Sequence, residues 1–277
     1  MKKVLFTLLL IIIFTPFSYT HAALVTTKPI KILLVPGHDN EVWGAQYGNL
    51  KEADMNLKLA LTIYDELKND KRFQVNITRN WHGYTPEFIN YFEGEQANIV
   101  AFRDTAKAAR ADIIDKGGFV QGENVPHNPA SGHASLVLYG INQWASGHGI
   151  DLVLHIHFND YPRPSSTSPG QYKGFAIYVP ESQMVNSVES TKLANNIFIE
   201  LKKKYVVSDY EPEKQGIIPD QNLIALGANG TLTPSVRSTL IEYGYIYRFG
   251  NSIMRHKAYT NMASLTTAGI KNYFFPK

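Results

Sequence analysis

The sequence predicts a single α/β domain, in which a mostly parallel, twisted β-sheet is flanked by helices and one long insertion interrupts the fold. Three observations lead to this fold class. An early segment has the order strand, helix, strand; the same kinds of element return in the second half of the chain; and no linker-like change of composition divides residues 28–277. With 277 residues, 44% of them hydrophobic, the chain is large and apolar enough to bury a full core.

The early unit begins with a continuous apolar run at residues 31–35 (KILLV), which ends in a Pro-Gly pair. Such a run is typical of a strand buried on both faces. In residues 52–67, apolar side chains recur at every fourth position from Met55 onward, which predicts an amphipathic helix. Residues 73–78 (FQVNIT) then alternate like a strand. Because this order makes a βαβ unit, the two strands are expected to be parallel.

The second half of the chain repeats these kinds of element. Three further apolar or alternating segments predict strands, and one segment with helical periodicity predicts a helix. The predicted strands are residues 151–158 (DLVLHIHF), 174–179 (GFAIYV) and 238–243 (STLIEY), and the predicted helix is residues 191–204.

Residues 81–135 form the insertion between the two halves. The insertion starts with five aromatic residues, continues with a predicted helix at about residues 97–116, and ends in a loop rich in Gly, Asn and Pro at 117–135. The aromatic start could line a groove for sugar rings, and the helix could cover the active-site crevice. Alternatively, both could pack against the core, and we favour this interpretation because aromatic stripes are more often part of a core. Histidines such as His127 and His133 are unremarkable in such a loop. The aromatic residues are Trp81, Tyr84, Phe88, Tyr91 and Phe92.

Residues 1–22 have the pattern of a secretory signal peptide. Lys2 and Lys3 precede an apolar stretch at residues 4–14, and Thr20 to Ala22 resemble a small-residue cleavage site. We therefore expect a secreted or periplasmic protein. The alternative is an uncleaved anchor, although the stretch is shorter than the about 20 apolar residues that cross a bilayer.

Composition excludes several kinds of site and partner. The formal net charge is +3 and falls to about +1 without the two lysines of the signal, so we expect no nucleic-acid partner. The sequence has no cysteine, which excludes disulfides, lipid attachment at cysteine and thiolate metal ligands. Any bound metal must therefore be held by His, Asp or Glu.

Four polar residues stand where predicted strands end or a helix begins: His38, Glu52, His157 and Glu242. The carboxyl ends of parallel strands line one edge of a sheet, so residues remote in sequence can converge there. Two imidazoles and one carboxylate are a usual ligand set for catalytic zinc. A second carboxylate beside a zinc-bound water can act as general base.

Each of these residues also has a simpler interpretation. Glu52 could close a capping box with Asn49, which lies three residues earlier. His38 could be an ordinary loop histidine. His157 shares a strand face with His155 and Asn159, so the three could form a structural hydrogen-bond cluster. Glu242, between apolar neighbours, would be costly to bury without a partner or a role.

Four segments, taken in order, resemble the zinc-dependent N-acetylmuramoyl-L-alanine amidases of the type 3 family. They are VPGHDN, LKEADMNLKLALTIYDEL, DLVLHIHFN and STLIEYGYI, and the resemblance spans about residues 30–273 without the insertion. It implies that His38, Glu52 and His157 are zinc ligands and that Glu242 is the catalytic carboxylate. It also implies a peptidoglycan substrate, cut at the amide between the lactyl group of muramic acid and L-alanine. Whether a protein activator is needed stays open.

The sequence also departs from the family pattern. Val35 replaces an Asp that commonly precedes the Pro-Gly-His motif, and Asp39 and Asn40 replace paired glycines, so the loop beside the metal must have a different shape. His155 replaces a Ser and, with Asn159, is a candidate to support the ligands or contact substrate. Arg79 is a further such candidate, because it stands where the family often has an Arg.

Two rival functions remain at this point. Another zinc peptidase, such as a carboxypeptidase, would use the same ion and a glutamate, but it usually draws its first His and Glu from within three residues of each other. Here Glu52 lies fourteen positions after His38. A non-catalytic cell-wall-binding protein would be indicated by loss of a ligand or of the base, and all four residues are present.

Overall fold

The computed structural model describes residues 28–122, 130 and 132–276. The predicted signal peptide at residues 1–22 and His127 of the insertion lie outside the described residues. Among the described helices, none combines the length and the apolar character that a membrane span requires.

The first half of the chain contains six strands and three helices within the described residues. They are β1 (Ile30–Pro36), β2 (Gln46–Tyr47), β3 (Leu50–Lys51), α1 (Glu52–Leu67), β4 (Phe73–Ile77), β5 (Arg79–Asn80), β6 (Gly83–Tyr84), α2 (Pro86–Gly94) and α3 (Gln96–Asp115). The short strands pair as two hairpins, β2 with β3 and β5 with β6. Helix α1 has the predicted bounds, and β1 and β4 match the predicted strands to within a residue at each end.

The second half of the described chain contains four strands and three α-helices. They are α4 (Gly132–Gly147), β7 (Leu152–Asn159), β8 (Ala176–Pro180), α5 (Ser187–Leu201), β9 (Ile217–Asp220), β10 (Arg237–Tyr245) and α6 (Ser252–Phe274). Short 3-10 helices lie at Glu211–Glu213, Ile224–Leu226, Ala228–Gly230 and Ile246–Phe249. Helix α5 begins four residues before its predicted start and ends three residues before its predicted end.

The central sheet has six strands among the described residues, in the order β4-β1-β7-β10-β8-β9. Strands β4, β1, β7 and β10 are parallel neighbours, β8 is antiparallel to β10, and β9 is parallel to β8. This confirms the predicted mostly parallel sheet. Because β1, β7 and β10 are parallel neighbours, their carboxyl ends meet at one edge.

Two layers of helices cover the sheet. Alternate residues of β1, such as Ile32 and Leu34, belong to a core that includes side chains of α1, α5 and α6. The intervening Leu33 and Val35 pack with α2 and α4, including Phe88 and Trp144. The period of two along β1 therefore places its apolar side chains on both faces, as its continuous apolar run predicts.

The structure corrects the predicted extent of the loop in the insertion. The loop was expected to run to residue 135, but α4 begins at Gly132. Ten small or polar residues in GHASLVLYGINQWASG obscure the helical period, and tertiary packing of Tyr139, Ile141 and Trp144 supplies the stability of this helix. His133 lies exposed in its first turn, outside the group of side chains that can hold a metal.

The aromatic residues at the start of the insertion mainly pack against the core, as expected for an aromatic stripe. Phe88 is fully buried, and its ring lies 4.9 Å from that of Trp144. Tyr84 and Phe92 make an edge-to-face pair at 5.2 Å. Trp81 differs, since 52% of it remains exposed.

Candidate metal centre

Three side chains predicted as metal ligands meet at the carboxyl edge of the sheet. His38 follows β1, Glu52 is the first residue of α1, and His157 lies near the end of β7. Glu52 Oε2 lies 3.1 Å from His38 Nε2, and Glu52 Oε1 lies 3.1 Å from His157 Nδ1. One donor atom from each residue lies within 4.8 Å of the others. Among the described residues, these three form the group of His, Asp and Glu side chains that could hold a metal ion.

Backbone pairing brings the two histidines together. Strands β1 and β7 are in register with Pro36 beside Ile156, and the Gly37 N–H donates to the Ile156 carbonyl at 2.9 Å. His38 adopts a left-handed backbone conformation, with φ of 61°, which is uncommon for a residue with a side chain. This conformation places a turn directly after the strand and beside His157.

Two glycines leave room for the three side chains. A Cβ atom at Gly37 would lie 2.1 Å from the His157 ring. A Cβ atom at Gly44 would lie 2.4 Å from the His38 ring and 2.5 Å from Glu52 Oε2, and Gly44 also has a φ of +70°. Neither position tolerates a side chain in this arrangement.

Glu52 belongs to the centre and does not close a capping box. The residue before the helix is Lys51, and Glu52 occupies the first helical position instead of the third that a capping box requires. Its carboxylate accepts hydrogen bonds from the Ala45 N–H at 2.9 Å and from Asn56 Nδ2 at 3.2 Å. The alternative interpretation with Asn49 is therefore wrong.

The two histidines keep Glu52 ionised. Burial alone would raise the pKa of Glu52, but the hydrogen bonds and charges of His157 and His38 outweigh it and hold that pKa far below its usual range. Burial opposes the charged form of His38, and Glu52 raises the pKa of His38 nonetheless. A buried carboxylate between two imidazoles is the donor set that zinc takes in proteins, so the residues fit this ion.

Glu242 stands next to this group on the neighbouring strand. It pairs in register with His157 across β10 and β7 and is 7% exposed. Burial, together with the negative charges of Glu52 and Glu213, raises the pKa of Glu242 well above its ordinary value. Its Oε2 is buried without a hydrogen-bond partner among the described residues. An oxygen in this state is suited to receive a water molecule or a proton.

The other two polar side chains on this face of β7 have different environments. His155 is buried, and burial, followed by the charge of nearby His157, lowers its pKa to about 3. It therefore stays neutral and is not part of the donor group. Asn159 donates from Nδ2 to Glu213 at 2.6 Å. His157 and Asn159 thus direct hydrogen bonds to different carboxylates, Glu52 and Glu213.

Arg79 supports the backbone around the centre. Its guanidinium is 1% exposed and donates to the carbonyls of Pro36, Gly37 and Ala53 at 3.2, 3.1 and 2.6 Å. Burial lowers the pKa of Arg79. Since these carbonyls belong to the end of β1 and the start of α1, Arg79 ties together the segments that carry His38 and Glu52, and it is not accessible to a substrate.

Sequence reasoning missed two residues that support the centre. Asn56 donates to the Gly37 carbonyl and to Glu52, and its position one turn after Glu52 was a signal available in the sequence. Glu213 is buried and accepts four hydrogen bonds, but the polar segment around it carries no signal of burial. The four donors are Asn159, Tyr178, Ser208 and Tyr245.

The loop after His38 is closed by side-chain hydrogen bonds, in keeping with Asp39 and Asn40 at the positions where the family pattern has paired glycines. Asp39 Oδ1 accepts from the backbone N–H groups of Glu41 and Val42 at 2.9 and 2.7 Å. The Trp43 indole N–H donates to the Asn40 carbonyl at 2.8 Å. Side-chain hydrogen bonds of this kind close a tight turn without glycine.

Comparisons with solved structures find the same fold in several amidases. An N-acetylmuramoyl-L-alanine amidase from Clostridium difficile 630 superposes with a TM-score of 0.55 at 16% identity, covering 90% of this chain and 98% of that one. The CwlD amidase from Clostridioides difficile, in complex with the GerS lipoprotein, superposes with a TM-score of 0.56 at 16% identity, covering 88% of this chain and 98% of that one. Ami1 from Mycobacterium smegmatis superposes with a TM-score of 0.55 at 13% identity, covering 90% of this chain and 98% of that one.

Comparisons of sequence give the family. No curated protein matches the chain. The sequence profile of one family, described as N-acetylmuramoyl-L-alanine amidase (Amidase_3), matches residues 32–272. That range contains His38, Glu52, His157 and Glu242 together with all of the central sheet except the first residues of β1. The chain therefore belongs to the family of N-acetylmuramoyl-L-alanine amidases.

Proposed function

We propose that the protein is a zinc-dependent hydrolase of peptidoglycan that cuts the amide between the lactyl group of N-acetylmuramic acid and L-alanine. The observation that carries the proposal is the meeting of His38, Glu52 and His157 within 4.8 Å, with buried Glu242 paired beside His157. Family membership supplies the substrate class.

His38, Glu52 and His157 would hold the ion. When bound there, zinc supplies a Lewis acid that polarises an amide carbonyl and lowers the pKa of a water molecule to about 7. The ionised state of Glu52 favours cation binding, because a ligand carboxylate must be deprotonated. Arg79 and Asn56 hold the backbone and Glu52 in place around the ion.

Glu242 would move the proton. In the hydrolysis, the oxygen of water forms a bond to the amide carbon and the carbon–nitrogen bond breaks. Glu242 accepts the proton that the water loses and delivers it to the leaving nitrogen of L-alanine. Its raised pKa suits this exchange, because a carboxyl whose pKa lies nearer to neutrality can both accept and return a proton.

The rival functions have less support. The fourteen-residue separation of His38 and Glu52 differs from the close spacing usual in zinc carboxypeptidases, and the family match lies with amidases. A wall-binding protein without catalysis has no need of a buried carboxyl, one oxygen of which lacks a hydrogen-bond partner among the described residues, beside two histidines and Glu52.

We further propose that the protein acts outside the cytoplasm, on the strength of the signal-like residues 1–22. Peptidoglycan would be directly accessible there. A protein activator also stays a prediction for this chain. One structural relative, the CwlD amidase, supports a protein partner in general, because its structure is a complex with the GerS lipoprotein.

Digestion of purified peptidoglycan with and without a chelator tests the proposed reaction. We expect free stem peptides that begin in L-alanine, identified by product mass, and we expect release to stop with the chelator and return with added zinc. Loss of a terminal residue from the stem peptide would identify a carboxypeptidase instead. Absence of any released peptide in the presence of zinc would reject the hydrolase.

A further inference from the structure

An exposed aromatic residue, Trp43, adjoins the metal centre through its backbone. Trp43 is 40% exposed, and it directly precedes Gly44, the residue whose α-carbon lies against His38 and Glu52. The Trp43 carbonyl accepts from the N–H of Ala53, the residue after Glu52, at 3.0 Å. The backbone of Trp43 is therefore fixed beside the proposed ligands.

The indole itself is held in place although it is exposed. Its N–H donates to the Asn40 carbonyl at 2.8 Å, and the Lys51 ammonium lies 3.3 Å from the ring centroid. The turn formed by Asp39 fixes the loop that carries the ring. Because these contacts order the side chain in advance, a ligand that stacks on its remaining surface loses little conformational entropy in the protein.

We propose that Trp43 is a binding site for a sugar ring of the glycan strand, with the ring of N-acetylmuramic acid stacked on the indole surface that Lys51 leaves open. This inference rests on the proposed function. In that substrate a short lactyl ether joins the sugar to the amide that is cut, so the sugar must lie close to the metal centre. The C–H groups of a pyranose ring form an apolar surface that matches the area of an indole.

A comparison of two substrates tests this assignment. One substrate carries the disaccharide on its stem peptide, and the other is a stem peptide whose L-alanine bears only a lactyl group. For Trp43→Ala we expect kcat/KM to fall about tenfold on the first substrate, mainly through KM, and to change little on the second. Trp43→Phe, which keeps an aromatic ring, is expected to retain most of the activity on both.

Trp81 provides a matched control. It is exposed to a similar degree, at 52%, and lies in the turn of the β5–β6 hairpin, whose Tyr84 hydroxyl is 3.5 Å from Asp39 Oδ2, so it tests a second exposed indole on a hairpin beside the same loop. Trp81→Ala is expected to leave the ratio of the two kcat/KM values unchanged. An equal fall on both substrates with Trp43→Ala, no fall on either, or an equal change of the ratio with Trp81→Ala would overturn the assignment.

Binding of peptide-free glycan separates this inference from the proposed reaction. Oligosaccharides of alternating N-acetylglucosamine and N-acetylmuramic acid contain no amide to stem peptide, so their affinity does not depend on hydrolysis. We expect calorimetry to show binding by the wild type and by Trp81→Ala, and about tenfold weaker binding by Trp43→Ala.

The outcomes of the binding experiment distinguish the two proposals. If glycan binding depends on Trp43 and no amide is cut, the inference stands and the proposed function fails. If the amide is cut and glycan binding is absent or independent of Trp43, the inference fails alone. Should Trp43→Ala not fold, fluorescence offers a second measurement on two variants without Trp81. Glycan must then change the fluorescence of Trp81→Phe and leave that of the double variant Trp43→Phe, Trp81→Phe unchanged, because the remaining Trp144 is 3% exposed.

Discussion

At the scale of single residues, the two carboxylates of the centre differ in their partners. Glu52 lies between two imidazoles that keep it ionised, while Glu242 has a raised pKa and a buried oxygen that meets no hydrogen-bond partner in the described part of the chain. One carboxylate is thereby suited to hold a cation and the other to exchange a proton. Their different environments, on neighbouring segments of one edge, are the basis of the proposed division of roles.

Glu242→Gln tests the role of the second carboxylate. The amide has nearly the same shape but cannot accept a proton, so we expect a folded protein that retains zinc and loses about a hundred- to ten-thousandfold in kcat. Rates of stem-peptide release and metal content should be measured on the same preparation. Normal turnover by this variant would contradict the role of Glu242 as the base.

The sequence was sufficient to predict the principal residues of the candidate site. His38, Glu52, His157 and Glu242 were identifiable because each stands at a strand end or a helix start, and the structure brings them together. The roles of the supporting groups could not be predicted in the same way. The hydrogen bonds of Glu213, for example, join a 3-10 helix to side chains of β7, β8 and β10.

At the scale of elements, the insertion contributes to the core of the protein. Phe88 of α2 is completely buried among Leu33 and Val35 of β1 and Trp144 of α4. Ile99 of α3 is buried as well. The interpretation of this segment as packing therefore has more support than its interpretation as a detachable cover.

Phe88→Ala tests the packing role of the insertion. We expect the free energy of unfolding to fall by about 3–5 kcal/mol, because the substitution leaves a cavity beside β1 and α4. Trp81→Ala, at an exposed position of the same segment, should change it by no more than about 0.5 kcal/mol. Thermal and urea unfolding curves give both values.

Replacement of residues 81–131 by a short linker tests the packing role of the whole insertion. We expect a destabilised protein, because the deletion exposes the faces of β1 and α4 that α2 covers. A folded and more active enzyme would restore the covering interpretation.

Helices were predicted unevenly, and the reason lies in their contacts. Helix α1 shows a clean period because one face packs on the sheet and the other meets solvent, so its bounds were predicted correctly. Helix α4 escaped prediction because packing against α3 and the short helices of the late loops buries several of its sides. Pairing of β8 in the antiparallel direction likewise had no signal in the local pattern of residues 174–179.

At the scale of the whole molecule, the parallel order of β1, β7 and β10 assembles the centre. Proposed ligands separated by more than a hundred residues in sequence become neighbours because three strands end at the same edge. This arrangement follows from the fold class, which the sequence predicted. The contacts that shape the loop of Trp43 depend on side-chain geometry that a sequence pattern does not contain.

The metal content of the purified full-length protein is the most direct test of the central claim. We expect about one zinc ion per chain in the wild type, and a large loss in His38→Ala and in His157→Ala, since each removes a donor from a set of three. His155→Ala, on the same face of β7, is the matched control and should retain the ion. Absence of zinc from a zinc-supplied wild type, or equal zinc in all four proteins, would contradict the assignment of this centre.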